Sequence, residues 1–425
     1  MINRPHVDWS KNLTLYEVNV RQYTKEGTLK AFQKHIPRLK ELGIGILWLM
    51  PIQPIGLLNR KGALGSYYSI QNYIEVNPEF GTLKDFKDLV KKCHNEGIYV
   101  MLDWVANHTA WDHVWTKSNP DFYNKDEHGN FKAPYPEWAD VIHLNYDKQG
   151  LRKQMIEDMK YWVTECDIDG FRCDMAHLVP TSFWNEAREE LEKIKPLFML
   201  AETENRDLLE YAFDMCYGWR IFHTQEEIAQ WKKSVHDLDN LLPHDVFGFP
   251  LHAFQMLFTD NHDENSWHGS AIKRFHESLP LFTVMNFTLP GFPLIYSGQE
   301  AGFDKQIAFF DKDEIVWKKD KTSDFIQKLS QLRLENPALW SGYFGGNMTR
   351  VYTSDNQAVF AYLRQKENNK IFVILNVCNS PLSIKLEGKD FCGGYTDYFT
   401  GEDANLIQGT VFNMKPWEYK VFVTS

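Results

Sequence analysis

Residues 82–108 read TLKDFKDLVKKCHNEG followed directly by IYVMLDWVANH, and this stretch decides the fold class. In its first half Leu83, Phe86, Leu89, Val90 and Cys93 recur every three or four residues, the spacing of a helix with one buried face, and the pattern stops at Gly97. In its second half an apolar run from Ile98 reaches Asp103, as a buried strand meeting a loop would. The same unit recurs along the chain. Strand-like runs are LTLYEVNV from Leu13, GILWLMP from Gly45, IYVMLDWV from Ile98 and DGFRCDM from Asp169. They continue as LFMLAE from Leu197, AFDMCYG from Ala212, FQMLFTD from Phe254 and PLIYSGQE from Pro293. Helical stretches such as TLKAFQKHIPRLKELG and QGLRKQMIEDMKYWVTEC lie between them. Eight strands alternating with helices predict an α/β chain folded as a (β/α)8 TIM barrel, with its chemistry at the C-terminal ends of the strands.

The connection after the third strand breaks the rhythm. Residues 107–144 are polar, aromatic and Pro-containing, with little periodicity, and are read as a small excursion over the barrel mouth. After ENPALWSGYF the pattern changes again, to short runs such as AVFAYLRQ, KIFVILNVC and YKVFVTS separated by Asn, Gly and Pro turns. The expected division is a catalytic barrel over 1–340, carrying the excursion, and a C-terminal antiparallel β-sandwich domain over 341–425 that caps it.

Composition narrows the partners. The 425 residues carry a net charge of −11 with 24% charged residues, which argues against a nucleic-acid or anionic-membrane partner, since either calls for a basic footprint. No run of about 18 apolar residues is present to span a bilayer. The first residues, MINRPHVDWSKN, contain no apolar core of a leader, so a cytoplasmic protein is expected, or a periplasmic or secreted one if a leader has been removed. Six cysteines without CxxC spacing read as reduced core residues rather than a disulfide frame or a zinc site. Aromatic residues reach 15%, including 14 Trp and 19 Tyr. Most of these fill a large core, but flat rings also stack on the C–H faces of sugars.

Acidic residues fall where the strands meet their loops. Asp103 follows the third strand, Asp174 ends the fourth, Glu202 ends the fifth and Asp263 follows the seventh. A single Asp there would read as a cap or turn residue. Four among eight strands, three of them close to His or Arg, point to a carboxylate-based active site.

The segments around these acids are DWVANH (103–108), GFRCDMAH (170–177), AETEN (201–205) and FTDNHD (258–263). In that order and on those strands they resemble the signature regions of glycoside hydrolase family 13, the α-amylase family. The resemblance extends to GSYYSIQNYIEVNPEFGT after the second strand and FPLIYSGQE at the eighth. It implies a retaining α-glucan hydrolase acting on maltooligosaccharides or starch-like α-glucosides through a covalent glycosyl-enzyme. It equally accommodates an α-glucosidase or a glucan transglycosylase with the same acids, and more remotely a non-catalytic glucan-binding relative. By the same resemblance Asp174 is the nucleophile, Glu202 the general acid and base, and Asp263 the third carboxylate. A retaining pair stands about 5–5.5 Å apart. Arg172, two residues before Asp174 on one strand, is expected to keep the nucleophile ionised, while burial and nearby negative charge raise Glu202. His108 and His262 match the paired histidines that bind hydroxyls of the reacting sugar. Tyr68 matches the tyrosine stacked on that sugar, with Tyr67 the adjacent alternative. Asp103 is expected to brace Arg172 and the loop that follows it.

Two departures from the family pattern carry expectations of their own. Family members often hold a structural calcium beside the excursion, and Asn107 matches one ligand, but His143 stands where an Asp ligand is usual. Calcium prefers oxygen, so neither calcium nor any other cofactor is expected. His177 occupies the place of a lysine that contacts the sugar beyond the cleavage point, and the histidine that normally follows is missing, Leu178 standing there. Together with the short excursion this leans toward oligosaccharides over raw starch.

Overall fold

The structure, a computed structural model, describes residues 7–250 and 252–424. The helix of the opening stretch runs over Leu83–Asn95. Thr82 starts it: its hydroxyl accepts from the Asp85 N–H while the Asp85 carboxylate accepts from the Thr82 N–H, satisfying two otherwise unpaired donors. Phe86, Leu89, Val90 and Cys93 are its buried face, and Gly97 at φ +68° turns the chain into the strand.

In chain order the barrel and its excursion contribute β1 (Leu15–Val18), β2 (Ile46–Leu49), β3 (Tyr99–Trp104), β4 (His108–Ala110) and β5 (Val141–His143). These are followed by β6 (Gly170–Cys173), β7 (Phe198–Ala201), β8 (Met215–Tyr217), β9 (Phe254–Leu257) and β10 (Phe292–Tyr296). All eight predicted strands form and close a parallel barrel in the order β1-β2-β3-β6-β7-β8-β9-β10. β4 and β5 pair antiparallel, His108 opposite His143, and fasten the two ends of the excursion together.

One predicted helix is interrupted. The stretch 28–43 forms Leu29–Phe32, a 3-10 turn over Gln33–His35, and Ile36–Glu41. Pro37 explains the break, because it has no N–H for the ladder and its ring crowds the carbonyl four residues back.

Aromatic side chains from the first residues of strands plug the N-terminal end of the barrel. Phe198, Phe254 and Phe292 stand about 6 Å apart, and Trp9 stacks on Tyr99 at 3.8 Å. β6 and β7 approach closely at Gly170, where a Cβ would sit 2.0 Å from the Phe198 carbonyl oxygen. These two strands lead directly into Asp174 and Glu202.

Beyond residue 346 come β11 (Asn347–Val351), β12 (Val359–Lys366), β13 (Asn369–Asn376), β14 (Leu382–Lys385), β15 (Gly393–Asp397), β16 (Asp403–Leu406), β17 (Val411–Met414) and β18 (Tyr419–Val423). Six of them form an antiparallel sheet in the order β11-β12-β13-β18-β15-β16, and β14 with β17 form a second, two-stranded layer. Val359, Phe372 and Ile374 of the large sheet share a buried cluster with Ile384 and Met414 of the small one. The expected sandwich is therefore real and lopsided.

The other face of the large sheet meets the barrel. Arg364 on β12 is fully buried and donates to the carbonyls of Thr288, Trp340 and Gly346, while the Tyr362 and Thr288 hydroxyls lie 2.6 Å apart. Among the described residues no helix is long and apolar enough to cross a membrane. Cys93, Cys166, Cys173 and Cys216 are buried, Cys378 and Cys392 are half-buried, and no disulfide is formed among the described residues.

Candidate active site

The strand ends bring the predicted acids to one place. Asp174, Glu202 and Asp263 line a single cavity of about 200 Å³ at the C-terminal end of the barrel, together with Tyr68, His108 and His262. Arg172 lies beneath its floor, fully buried, and His177 stands on the exposed side of the turn after Asp174, outside the cavity lining. Of the two tyrosines, Tyr68 faces the cavity, whereas the Tyr67 ring takes the Arg21 guanidinium at 4.2 Å.

Arg172 organises the floor. Its Nη1 donates to Asp103 Oδ1 at 2.9 Å and to Asp174 Oδ1 at 3.1 Å, and its Nη2 lies 2.9 Å from Glu202 Oε2. Its Nε donates to the Tyr217 hydroxyl at 3.1 Å. Asp103 is held from the other side by Trp48 Nε1 and the Tyr68 hydroxyl, each at 3.1 Å. Asp103 is thus a brace for Arg172 and Tyr68, and it does not line the cavity.

A second cation sits above. His262 Nδ1 is 2.5 Å from Glu17 Oε1 on β1, and its Nε2 is 2.8 Å from the Tyr68 hydroxyl and 3.3 Å from Asp263 Oδ2. Burial disfavours the imidazolium, but the adjacent Asp263 and Glu17 carboxylates outweigh it and raise His262 to about 9. His262 is therefore charged at neutral pH, with Nδ1–H donated to Glu17 and Nε2–H to Tyr68. His108 has no carboxylate partner of this kind, and burial lowers it to about 3, leaving it neutral.

The carboxyls outnumber the cations. Asp103, Asp174, Glu202, Asp263 and Glu17, five carboxyls, surround Arg172 and His262. Burial raises Asp174 well above its ordinary value, with the Glu202 charge adding to it and Arg172 opposing. Burial also raises Glu202, again against Arg172, with Asp263 adding. Arg172 favours the ionised form of Asp174, while burial and the Glu202 charge act against it. The guanidinium is divided among three carboxyls, so it cannot discharge any one of them completely. The titrations of Asp174 and Glu202 are therefore linked, the Glu202 charge adding to the rise at Asp174. The Met175 N–H donates to Glu202 Oε2 at 2.7 Å, an alignment that places Met175 at φ +41°, a left-handed conformation uncommon for a side chain of that size.

Several residues of the site carry no signal in the sequence. Glu17 is one acid within a strand, and Lys61 and Asp140 are charges in aperiodic loops. Trp138, Trp267, Phe309 and Phe310 complete the walls, and only the general richness in aromatics hinted at them.

The residues at the expected calcium position were tested against the needs of that ion. Asn107 Nδ2 lies 3.2 Å from His108 Nδ1, and Asn124 Nδ2 lies 3.0 Å from His143 Nδ1. The Asn107 carbonyl is engaged by the Leu144 N–H at 3.1 Å, tying the excursion's exit to its entry. Calcium takes 6–8 oxygen ligands, and a pair of neutral imidazoles bonded to amides does not fit it. Among the described residues no group of three or more His, Cys, Asp or Glu is placed to hold a metal ion.

Comparison with known proteins agrees with this geometry. The family described as "Alpha amylase, catalytic domain" matches residues 16–140 and 135–343, and that described as "Maltogenic Amylase, C-terminal domain" matches 349–421. An α-amylase from Haloarcula japonica is 27% identical over 91% of this chain, which spans 59% of that relative's length. Among solved structures, a maltogenic α-amylase from Thermotoga neapolitana superposes with a TM-score of 0.89 at 31% identity, covering 97% of this chain and 98% of its own. An α-amylase from Lactobacillus plantarum gives 0.88 at 29%, covering 97% and 99%. The catalytic-domain match alone takes in most of the chain, and with it the strands that carry Asp174, Glu202 and Asp263: the chain belongs to the α-amylase family of glycoside hydrolases.

Proposed function

We propose that this chain hydrolyses α-glucosidic bonds of maltooligosaccharides with retention of anomeric configuration, Asp174 serving as nucleophile, Glu202 as acid and base, and Asp263 as the carboxylate that binds the reacting sugar. The observation that carries the reading is the convergence of these three carboxyls in one small cavity with Tyr68, His108 and His262. In the first step an Asp174 oxygen attacks the anomeric carbon as Glu202 gives its proton to the departing glycosidic oxygen. In the second, Glu202 takes a proton from water, the water oxygen attacks the same carbon, and the bond to Asp174 breaks. The step needs the proton on Glu202, which burial raises, and Asp174 ionised, which Arg172 Nη1 at 3.1 Å from Asp174 Oδ1 favours. Negative charge on Asp263 suits the positive character that develops at the sugar ring.

Proton NMR of a maltooligosaccharide digest tests this directly. The first product formed should be the α-anomer, before mutarotation, and turnover should vanish in Asp174→Ala. A β-anomer, or turnover that persists in Asp174→Ala, rules the reading out.

A further inference from the structure

One residue of the cavity lining, Lys61, comes from a loop that the mechanism does not use. Ile55 and Ile70 pair as an isolated antiparallel bridge, and the Gly56 N–H donates to the Ser69 carbonyl at 2.9 Å, so the segment between them is a loop with closed ends. Arg60 fills its interior, donating to the carbonyls of Ile55 and Gly56. The loop is fastened on two opposite sides. Toward the excursion, Lys61 Nζ lies 2.9 Å from Asp140 Oδ1 and donates to the Glu137 carbonyl at 2.7 Å. Toward the loop after β10, the Leu64 N–H donates to the Phe310 carbonyl at 3.0 Å and the Ala63 N–H to Asp311 Oδ1 at 3.1 Å. Gly62 makes that approach possible. It stands at φ +65°, and a Cβ there would lie 2.4 Å from the Phe310 Cβ.

We infer that residues 57–65 form a strap that blocks the glycone end of the cavity, so that the enzyme cleaves short units from the non-reducing end of its substrate rather than attacking inside a chain. The inference rests on the hydrolase reading above and adds the direction and depth of binding to it. Asp174 attacks the anomeric carbon of the ring held by Tyr68, His108 and Asp263, so whatever lies on that ring's far side faces the non-reducing end. Lys61, Asp140 and Phe310 line the cavity with those residues, whereas His177, on the leaving-group side by its family position, does not. An internal attack needs a groove open at both ends. Here two walls are joined across one end, and about 200 Å³ of cavity is less than the roughly 300–1,000 Å³ of ordinary small-molecule pockets, which leaves room for a mono- or disaccharide unit. The blind end is also polar. An ammonium carries three N–H groups, and Lys61 directs two of them to Asp140 and Glu137 among the described residues, leaving one for a terminal sugar hydroxyl.

The test is a pair of maltoheptaose substrates, one unmodified and one whose terminal O4 and O6 hydroxyls at the non-reducing end are joined in a cyclic acetal. The full chain should cleave the unmodified substrate, release only glucose or maltose at early times, and turn over the capped one about 100-fold more slowly. Lys61→Ala, which unfastens the strap from the excursion, should raise the ratio of capped to uncapped rates by about tenfold. Comparable rates on the two substrates with a spread of early products, or a ratio unchanged by Lys61→Ala, overturns the strap while leaving hydrolysis intact. No turnover of either substrate overturns the hydrolase reading, and this one with it.

Discussion

Glu17 and His262 meet 2.5 Å apart, joining the first strand of the barrel to the helix that follows the seventh. The contact does more than hold two elements together. It fixes the charge of the histidine that touches both Tyr68 and Asp263, and so reaches the sugar-binding side of the cavity without lining it.

Glu17→Gln should therefore lower the pKa of His262 from its value of about 9 and destabilise the fold by about 3 kcal/mol, as breaking a buried charge pair does. The sign with pH follows from the direction of the shift. His262 is raised from 6.5 in the unfolded chain to about 9, so its contribution is fully present below pH 6.5 and is lost as pH rises through 9. Thermal melts across that window should slope downward in the native protein and flatten in Glu17→Gln. Equal slopes would contradict the assignment.

The rise of both carboxyls predicts how Glu202 governs activity. Burial raises both Glu202 and Asp174, so kcat/KM should be bell-shaped, its basic limb marking loss of the proton that the leaving group needs and lying above the ordinary range of carboxyls. Glu202→Gln should cost about 10²–10⁴-fold on a maltooligosaccharide and far less on an aryl glycoside whose leaving group needs no proton. An equal loss on both substrates would remove Glu202 from the acid role.

Gly170→Ala should be among the most damaging small substitutions in the chain. The added methyl would meet the Phe198 carbonyl oxygen at 2.0 Å, a backbone atom that cannot swing away, with the Met101 side chain at 3.2 Å beside it. Overpacking of this kind costs about 3 kcal/mol. Because β6 and β7 carry Asp174 and Glu202 at their ends, any surviving fold should show lower kcat as well, measurable by melting and steady-state kinetics on the same sample. A fully active variant with native stability would mean the strands can separate there freely.

Chelation should have no effect. The Asn107, His108 and His143 cluster is knit by hydrogen bonds among nitrogen-bearing side chains and does not fit calcium. Melting temperature and turnover should be the same in EDTA and in added calcium. A calcium-dependent rise of several degrees would point to an ion bound elsewhere.

The barrel was legible because its strands are buried on both sides and so read as continuous apolar runs, and because Asp103, Asp174 and Glu202 each interrupt such a run at or near its end. The helix over 28–43 was overdrawn because apolar periodicity records which face is buried, and Pro37 leaves that periodicity untouched while breaking the ladder. Glu17 was missed for the opposite reason. One charged residue in a short strand looks like an outward position, and only its partner His262, 245 residues away, reveals that it points inward. Lys61 and Asp140 are matched by loop geometry alone, which no spacing rule encodes. The charge balance at Arg172 escaped too, since a neighbour two residues off is visible in sequence while the claims of Asp103 and Glu202 on the same guanidinium are not.

Arg364 has a consequence for how far this chain can be cut. Its guanidinium is spent on carbonyls of Thr288 and Trp340 that have already left the barrel's own ladders, and the Tyr362 hydroxyl meets Thr288 at the same seam. A protein engineer who trimmed away the final 80 or so residues as a dispensable module would strip those oxygens and their surroundings bare. The tail is better regarded as part of the barrel's outer wall, supplied late by the chain, so minimal versions of this enzyme should be sought by shortening loops rather than by deleting the end.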